Sequence, residues 1–364
     1  MSSVVAKIGT SSLTDERGVI DAATIARVCR QVAILRDAGH RVVVVTSAAV
    51  AAGVEALGMG HNRPTDVLTL QAVSAVGQSR LMRVWDEAFA AVGILSGQIL
   101  LTPNDFFDRR QYLHARSTLQ RLLDLGVVPV INENDTIAVD ELRFGDNDRI
   151  AALVAHLVGA DVLVLLTDTD GLFTGDPRTD PAATLIEHVD EVTIELESAA
   201  GATGTQRGSG GMSSKLQAAK IASWSGVRAV IAGSKGERVL LDAVDGRPGC
   251  GTTVAAHDRK LSARKLWIAF AGDSEGTLSV DAGAKAALVE RGVSLLPAGA
   301  KSVSGTFEEG DLVEIAGPDG KPFARGVCRF DAAAARVAVG RRTADLPEGS
   351  STVLVHRDDL VLLP

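Results

Sequence analysis

Apolar positions in the first 255 residues follow two alternating textures. Continuous or nearly continuous Val/Ile/Leu runs at Val4–Ile8, Arg41–Thr46, Ile94–Leu101, Val127–Ile131, Val162–Leu166 and Arg228–Ala232 read as strands. Such runs are expected of parallel strands buried on both faces. Between them, Ile25, Val28, Cys29, Val32 and Leu35 repeat at helical spacing, with Gly39 as a stop. Thr65–Val92 predicts a longer helical region broken near Gly77. Leu119, Leu122 and Leu123 mark another helix, as do Ile150, Leu153, Val154 and Leu157. Strand–helix alternation of this kind predicts a doubly wound, mainly parallel α/β sheet.

The texture changes across Asp245–Thr252, which holds Gly246, Pro248, Gly249 and Gly251. Beyond Ser262, short runs at Gly276–Val280, Leu312–Ile315, Gly326–Phe330, Val337–Val339 and Thr352–Val355 are separated by Gly, Pro and Asp. They predict a small β-rich domain. The expected organisation is an α/β domain over residues 1–258, a linker over 259–271 and the β-rich domain over 272–364.

Composition narrows the function without choosing it. The 364 residues are 46% hydrophobic and 23% charged, with a net charge of −8. That excludes a nucleic-acid scaffold built on bulk positive charge. Cys29, Cys250 and Cys328 lie far apart, so neither a disulfide framework nor a zinc site is expected, and a reducing cytoplasm is. The chain enters an apolar strand at Val4 without a basic leader, and no apolar stretch is long enough for a bilayer. Neither a signal peptide nor membrane association is therefore expected.

Polar residues collect at the carboxyl ends of the predicted strands, where open α/β sheets bind ligands. Lys7-Ile8-Gly9-Thr10-Ser11-Ser12 ends the first strand and Thr46-Ser47-Ala48 the second. Asn132-Glu133-Asn134-Asp135 follows Val127–Ile131, and Thr167-Asp168 follows Val162–Leu166. Gly145-Asp146-Asn147-Asp148 opens a helix. Each alone is what a turn needs; their recurrence on one edge favours a site.

A further loop, Gly208-Ser209-Gly210-Gly211-Met212-Ser213-Ser214-Lys215, reads as a flexible connection or as a phosphate cradle at the start of an amphipathic helix. It is not a Walker A loop, because Ser214 precedes Lys215 and Leu216 follows it. Lys7 and Lys215, if both reach one cleft, would repel by about 4 kcal/mol at about 4 Å and an effective dielectric of about 20. An anion must lie between them: a polyphosphate when bound, and Asp148 as the best candidate otherwise. Two lysines, a glycine-rich N–H cradle and Mg²⁺ suffice for phosphoryl transfer, which depends on positioning and charge. Asp135 suits an ammonium, and Asn147 and Ser47 suit carboxylate or amide oxygens.

Together with Gly210-Gly211-Met212 and the helix motif Ala72-Val73-Ser74-Ala75-Val76-Gly77-Gln78, these stretches resemble the glutamate 5-kinase family of the amino-acid kinase superfamily, in order and spacing. The last hundred residues resemble the PUA domain that bacterial members append. The resemblance implies an α/β/α sandwich followed by a PUA-like domain. It implies ATP-dependent phosphorylation of the γ-carboxylate of L-glutamate to L-glutamyl 5-phosphate, the first step of proline synthesis. Carried over by motif, Lys7, Lys215 and Asp148 are catalytic. Lys7, Thr167, Asp168, Ser209, Gly210, Gly211, Met212, Ser213, Ser214 and Lys215 bind ATP, and Ser47, Asp135 and Asn147 hold glutamate. Mg²⁺ is expected to ride on the ATP phosphates, with no protein metal ligand assigned. The resemblance also implies proline as a feedback inhibitor, a homo-oligomer (dimer or tetramer), and possible association with glutamate-5-semialdehyde dehydrogenase. Ala48 departs from the family, which usually has glycine there, and Ser209 replaces a usual threonine.

Rival readings are weaker. Sister kinases acting on N-acetylglutamate, aspartate or UMP would share the sheet and lysines, but the Asn-Glu-Asn-Asp and Gly-Asp-Asn-Asp pair and the PUA-like tail favour glutamate. No Gly-x-Gly-x-x-Gly follows a strand, which disfavours a dehydrogenase. RNA binding by the tail is disfavoured because Ser262–Pro364 holds 12 Lys/Arg against 14 Asp/Glu. Asp176-Pro177-Arg178 is a turn or a loop beside the nucleotide; His114, His156 and His188 lack metal spacing; Trp85, Trp224 and Trp267 read as packing.

Overall fold

The computed structural model describes every residue except 61–62, 107, 138–146, 202–210, 259, 271–273, 346–350 and 364. The chain divides into two compact units, Met1–Lys260 and Leu261–Pro364.

The first unit runs β1 (Ser3–Ile8), α1 (Thr10–Leu13), α2 (Ala22–Asp37), β2 (Arg41–Val45), α3 (Ala49–Ala56), α4 (Val67–Ala90), β3 (Ser96–Leu101), α5 (Arg109–Asp124) and β4 (Val128–Glu133). It continues with α6 (Asn147–Val158), β5 (Val162–Thr167), β6 (His188–Val189), α7 (Ile194–Gly201), α8 (Met212–Trp224), β7 (Arg228–Gly233), α9 (Val239–Asp245) and β8 (Thr252–Val254). The eight strands form one sheet in the order β3-β4-β2-β1-β5-β7-β8-β6. Only the β7–β8 pair is antiparallel.

The central strands are apolar because both faces are covered. Val4, Val5, Val43, Val44, Leu163 and Val164 have no solvent exposure. Alternate strand residues, among them Val4, Val42, Val44 and Val164, pack on Ile25, Val28 and Val32 of α2 and on Leu81 and Trp85 of α4. Helix starts are marked chemically: Asp21 accepts from the backbone N–H groups of Ala23 and Thr24, and Asp66 from that of Thr69. Helix α2 stops as its spacing predicts, with Gly39 at φ +86°. Chain order reverses about β1, which lies between β2 and β5. Ligands bind beyond the carboxyl ends at such a switch point.

The second unit contains α10 (Ala263–Phe270), β9 (Gly276–Val280), α11 (Ala282–Arg291), β10 (Ala300–Gly305), β11 (Leu312–Ala316), β12 (Pro322–Cys328), α12 (Ala332–Ala338) and β13 (Val355–Leu362). Its five-stranded sheet has the order β10-β9-β11-β12-β13.

Four sequence expectations need correction. Helix α4 runs unbroken through Gly77, which is a contact point rather than a break: a Cβ there would lie 1.8 Å from the carbonyl oxygen of Ala49 in α3. The run Val337–Val339 is no strand; Ala332–Ala338 is helical, capped by Asp331, whose carboxylate accepts from the N–H of Ala334. The strand expected at Thr352–Val355 begins only at Val355 and extends to Leu362, its apolar pattern hidden by His356–Asp359. Residues 263–270, expected within a linker, form α10, whose Ile268 and Ala269 pack on Val327 and Val361 of the second unit.

Candidate active site

A cleft of about 1150 Å³ opens at the carboxyl ends of the central strands. Its wall includes Thr10 after β1, Ser47 after β2, Asn132 and Asp135 at the end of β4, Thr167 and Asp168 at the end of β5, and Gly211, Met212 and Lys215 at the start of α8. Strand ends that are distant in sequence meet here because parallel strands all point the same way.

The chemical centre is a buried charge bridge. Asp148, in the first turn of α6, places Oδ1 2.6 Å from Lys7 Nζ and Oδ2 3.3 Å from Lys215 Nζ. The Ser214 hydroxyl donates to the same Oδ2 at 2.8 Å. Asp148 is 1% exposed, Lys7 4% and Lys215 5%. Burial alone would raise the Asp148 carboxyl, but the ammonium groups of Lys7 and Lys215 outweigh it and hold the pKa down to about 2. The aspartate is thus a fixed anion between two cations, and Lys215 presents one of them to the cleft. Lys7 lies under the β1–α1 turn, where Gly9 leaves room: a Cβ there would be 3.3 Å from Lys7 Nζ.

Helix α8 begins at Met212, with Gly211 at its N-cap and no side-chain cap. The positive end of its dipole therefore lies on the cleft wall, where Gly211, Met212 and Lys215 line it. The helix is not amphipathic as expected, since Leu216, Ala218, Ala219, Ile221 and Ala222 are buried around it together with Lys215 and Lys220. It is a core helix, which fixes Lys215 firmly. Ser213 follows Met212 in its first turn. Ser209 and Gly210 lie outside the described residues, as do Gly145 and Asp146.

Asp135, also on the cleft wall, is 6% exposed and its Oδ2 accepts from the Ser74 hydroxyl at 2.6 Å. Burial pushes its carboxyl above the usual range, against the opposing pull of the Ser74 hydrogen bond and the Arg63 charge. Asn147 is buried and its Oδ1 accepts from the backbone N–H of Glu133, so its position is set by β4. Ser47 is 6% exposed and Ala48 follows it at φ +82°, the only positive φ at a non-glycine among the described residues. Thr167 donates its hydroxyl to Asp168 Oδ1 at 3.1 Å. Asp176 accepts from the backbone and guanidinium of Arg178, and both line the cleft, so the Asp176-Pro177-Arg178 turn is part of its wall.

Sequence reasoning missed Asn132 as a site residue. It is 1% exposed, lines the cleft, and its Oδ1 has no hydrogen-bond partner among the described residues. Its signal was present in the same Asn-Glu-Asn-Asp stretch that supplied Asp135.

A parallel α/β sheet carrying two buried lysines across one carboxylate, beside an uncapped helix start, defines a cleft built to handle phosphate. Known proteins agree with that class. The model of the amino acid kinase family matches residues 2–233, and that of the PUA domain matches residues 276–349. A glutamate 5-kinase from Geobacter sp. (strain M21) is 46% identical over 364 residues, covering 99% of this chain and 97% of that protein. Another from Citrifermentans bemidjiense is 47% identical over 365 residues, again covering 99% and 97%. The fold is shared with a carbamate kinase from Giardia lamblia solved bound to AMP-PNP, with a TM-score of 0.50 and 17% identity over 70% of this chain and 98% of that one. The chain belongs to the amino acid kinase family and, within it, to the glutamate 5-kinases, with a PUA domain after the kinase domain.

Proposed function

We propose that the protein transfers the γ-phosphoryl group of ATP to the γ-carboxylate of L-glutamate, giving L-glutamyl 5-phosphate and ADP, the first step of proline biosynthesis. The observation that carries this reading is the Lys7–Asp148–Lys215 bridge beside the α8 N-terminus. A carboxylate oxygen of glutamate attacks the γ-phosphorus; the new O–P bond forms as the bond to the β-phosphate oxygen breaks, and that electron pair leaves with ADP. The nucleophile is already an anion at neutral pH, so no general base is required. What the reaction needs is cancellation of negative charge spread over the transferring group, which Lys7, Lys215 and the α8 N–H groups supply. Asp148 stays ionised and serves to place both lysines.

Within this reading, Thr167, Asp168 and the 209–215 stretch hold the nucleotide, and Ser47, Asp135 and Asn147 hold glutamate. Asp135, a buried carboxylate on the cleft wall, would take the substrate ammonium. Mg²⁺ would arrive on the triphosphate, since Asp148 is committed to two lysines. When bound, the ion would neutralise phosphate charge. Proline, resembling the glutamate backbone, would compete near Asp135. The oligomer and an association with glutamate-5-semialdehyde dehydrogenase follow from the family alone; the latter suits an unstable acyl phosphate product. Three free cysteines support a cytoplasmic setting, and no described helix is long and apolar enough to cross a membrane.

The test is an ADP-release assay with glutamate, N-acetylglutamate, aspartate and UMP as acceptors, repeated with proline added. Glutamate alone should support turnover, and proline should raise its KM. Activity on N-acetylglutamate without activity on glutamate would overturn the reading.

A further inference from the structure

Helix α4 carries polar residues on a face that packs into the core. Ser74, Gln78 and Trp85 are spaced by four and then seven residues, one and two turns, so they lie in one line along the helix. Each hydrogen-bonds a residue at the end of a different part of the acceptor wall. Ser74 donates to Asp135 Oδ2 at 2.6 Å. Asn132 Nδ2 donates to Gln78 Oε1 at 2.7 Å. Trp85 Nε1 donates to Thr46 Oγ1 at 3.0 Å, and that hydroxyl donates on to the carbonyl of Ser47 at 3.2 Å.

These bonds differ from ordinary packing in two ways. Trp85 has no solvent exposure and stacks on Phe89, yet its polar atom points at the β2 end rather than being left unused. The Gln78–Asn132 pair keeps one donor and one acceptor, Gln78 Nε2 and Asn132 Oδ1, buried with no partner among the described residues. Asn132 lines the cleft, so Gln78 holds from behind an amide whose free Oδ1 suits a ligand ammonium.

We infer that Ser74, Gln78 and Trp85 are positioning residues, through which α4 sets the geometry of Asp135, Asn132 and Ser47 for the acceptor. The inference rests on the acceptor reading given above and adds what holds that subsite in shape. Ser74 has a second effect. Its hydroxyl stabilises the ionised form of a carboxylate that burial disfavours, with Arg63 the charged group acting alongside it.

The experiment compares Ser74→Ala, Gln78→Met and Asp135→Ala in the full chain, by steady-state kinetics in each substrate across pH. Ser74→Ala and Gln78→Met should each raise the glutamate KM by about three- to tenfold, with ATP KM moving less than about twofold and kcat falling less than KM rises. Ser74→Ala alone should move the acid limb of kcat/KM for glutamate to higher pH, because Gln78 does not touch Asp135. A purely structural role would instead lower the unfolding midpoint and move both KM values together, and that result overturns the inference. An unchanged glutamate KM in Ser74→Ala beside a raised one in Asp135→Ala also overturns it alone. An unchanged KM in Asp135→Ala overturns the acceptor reading and this inference with it.

Discussion

Asp148 Oδ1 lies 2.6 Å from Lys7 Nζ, a pair almost wholly removed from water. Removing the Asp148 charge takes away the anion that lies between Lys7 and Lys215. Losing one partner of a buried pair typically costs about 3–5 kcal/mol. Asp148→Asn, which keeps the shape, should therefore lower the unfolding midpoint and reduce kcat by at least about 100-fold. Denaturation curves beside steady-state kinetics check both, and near-normal turnover would remove Asp148 from the centre of the site.

Lys215 reaches the cleft wall, while Lys7 is held beneath the β1–α1 turn. On the proposed mechanism its charge matters most when the phosphoryl group is in flight. Lys215→Ala should lower kcat by about 100- to 1000-fold, with a much smaller rise in the glutamate KM. A large KM effect with kcat preserved would make Lys215 a ground-state anchor.

Two aspartates should impose opposite pH signatures. The Asp148 carboxyl is lowered to about 2, so its stabilisation is complete above the ordinary carboxylate value and lost as pH falls from there through about 2. The Asp135 carboxyl is raised by burial, so its ionised form weakens the fold, and that penalty is relieved as pH falls through its folded value. On the proposed reading glutamate binding needs Asp135 ionised, so the KM should climb in mild acid before stability declines. Parallel pH series of KM and unfolding midpoint test the order; loss of stability first would contradict it.

Ala48 at φ +82° occupies backbone space that favours glycine, at a cost of about 1–2 kcal/mol for an L side chain. Ala48→Gly should stabilise the protein by up to about 1 kcal/mol after the greater entropy of unfolded glycine is counted. Chemical denaturation midpoints measure this. An unchanged or lowered midpoint would mean that the alanine Cβ contributes packing that offsets the strain.

Gly77→Ala should do the reverse. Its Cβ would meet the Ala49 carbonyl oxygen at 1.8 Å, and the matching Gly53 would meet the Val73 carbonyl at 1.9 Å. Overpacking of this kind costs about 1–3 kcal/mol. Because α4 also grips the acceptor wall, glutamate KM should rise together with the loss of stability. Wild-type melting behaviour would show that the two helices separate freely.

The central strands were legible because burial on both faces leaves an unbroken Val/Ile/Leu run, as at Arg41–Val45 and Val162–Thr167. Short strands at or next to the sheet edge, such as His188–Val189 and Thr252–Val254, escaped because two or three residues carry no periodicity. The helices at Ala263–Phe270 and Ala282–Arg291 escaped because short amphipathic stretches sat among β-like runs. For the candidate site, residue types at strand ends pointed to Lys7, Ser47 and Asp135, and those at a helix start to Asp148. Nothing local reveals that Trp85 bonds Thr46, since that depends on where a helix face lands. Gly77 misled for the same reason: a glycine that permits close helix contact looks, in one dimension, like a helix breaker.

Burial of the lysine bridge carries a consequence for ionic strength. Mobile counter-ions screen exposed charges over about 8 Å at physiological salt but do not enter a site whose charged groups are 1–5% exposed. Asp148 is the counter-ion that Lys7 and Lys215 keep for themselves, fixed in place whatever the surrounding electrolyte. Turnover should therefore stay level as salt rises, while capture of the nucleotide past the exposed Asp168 and Arg178 rim varies with it.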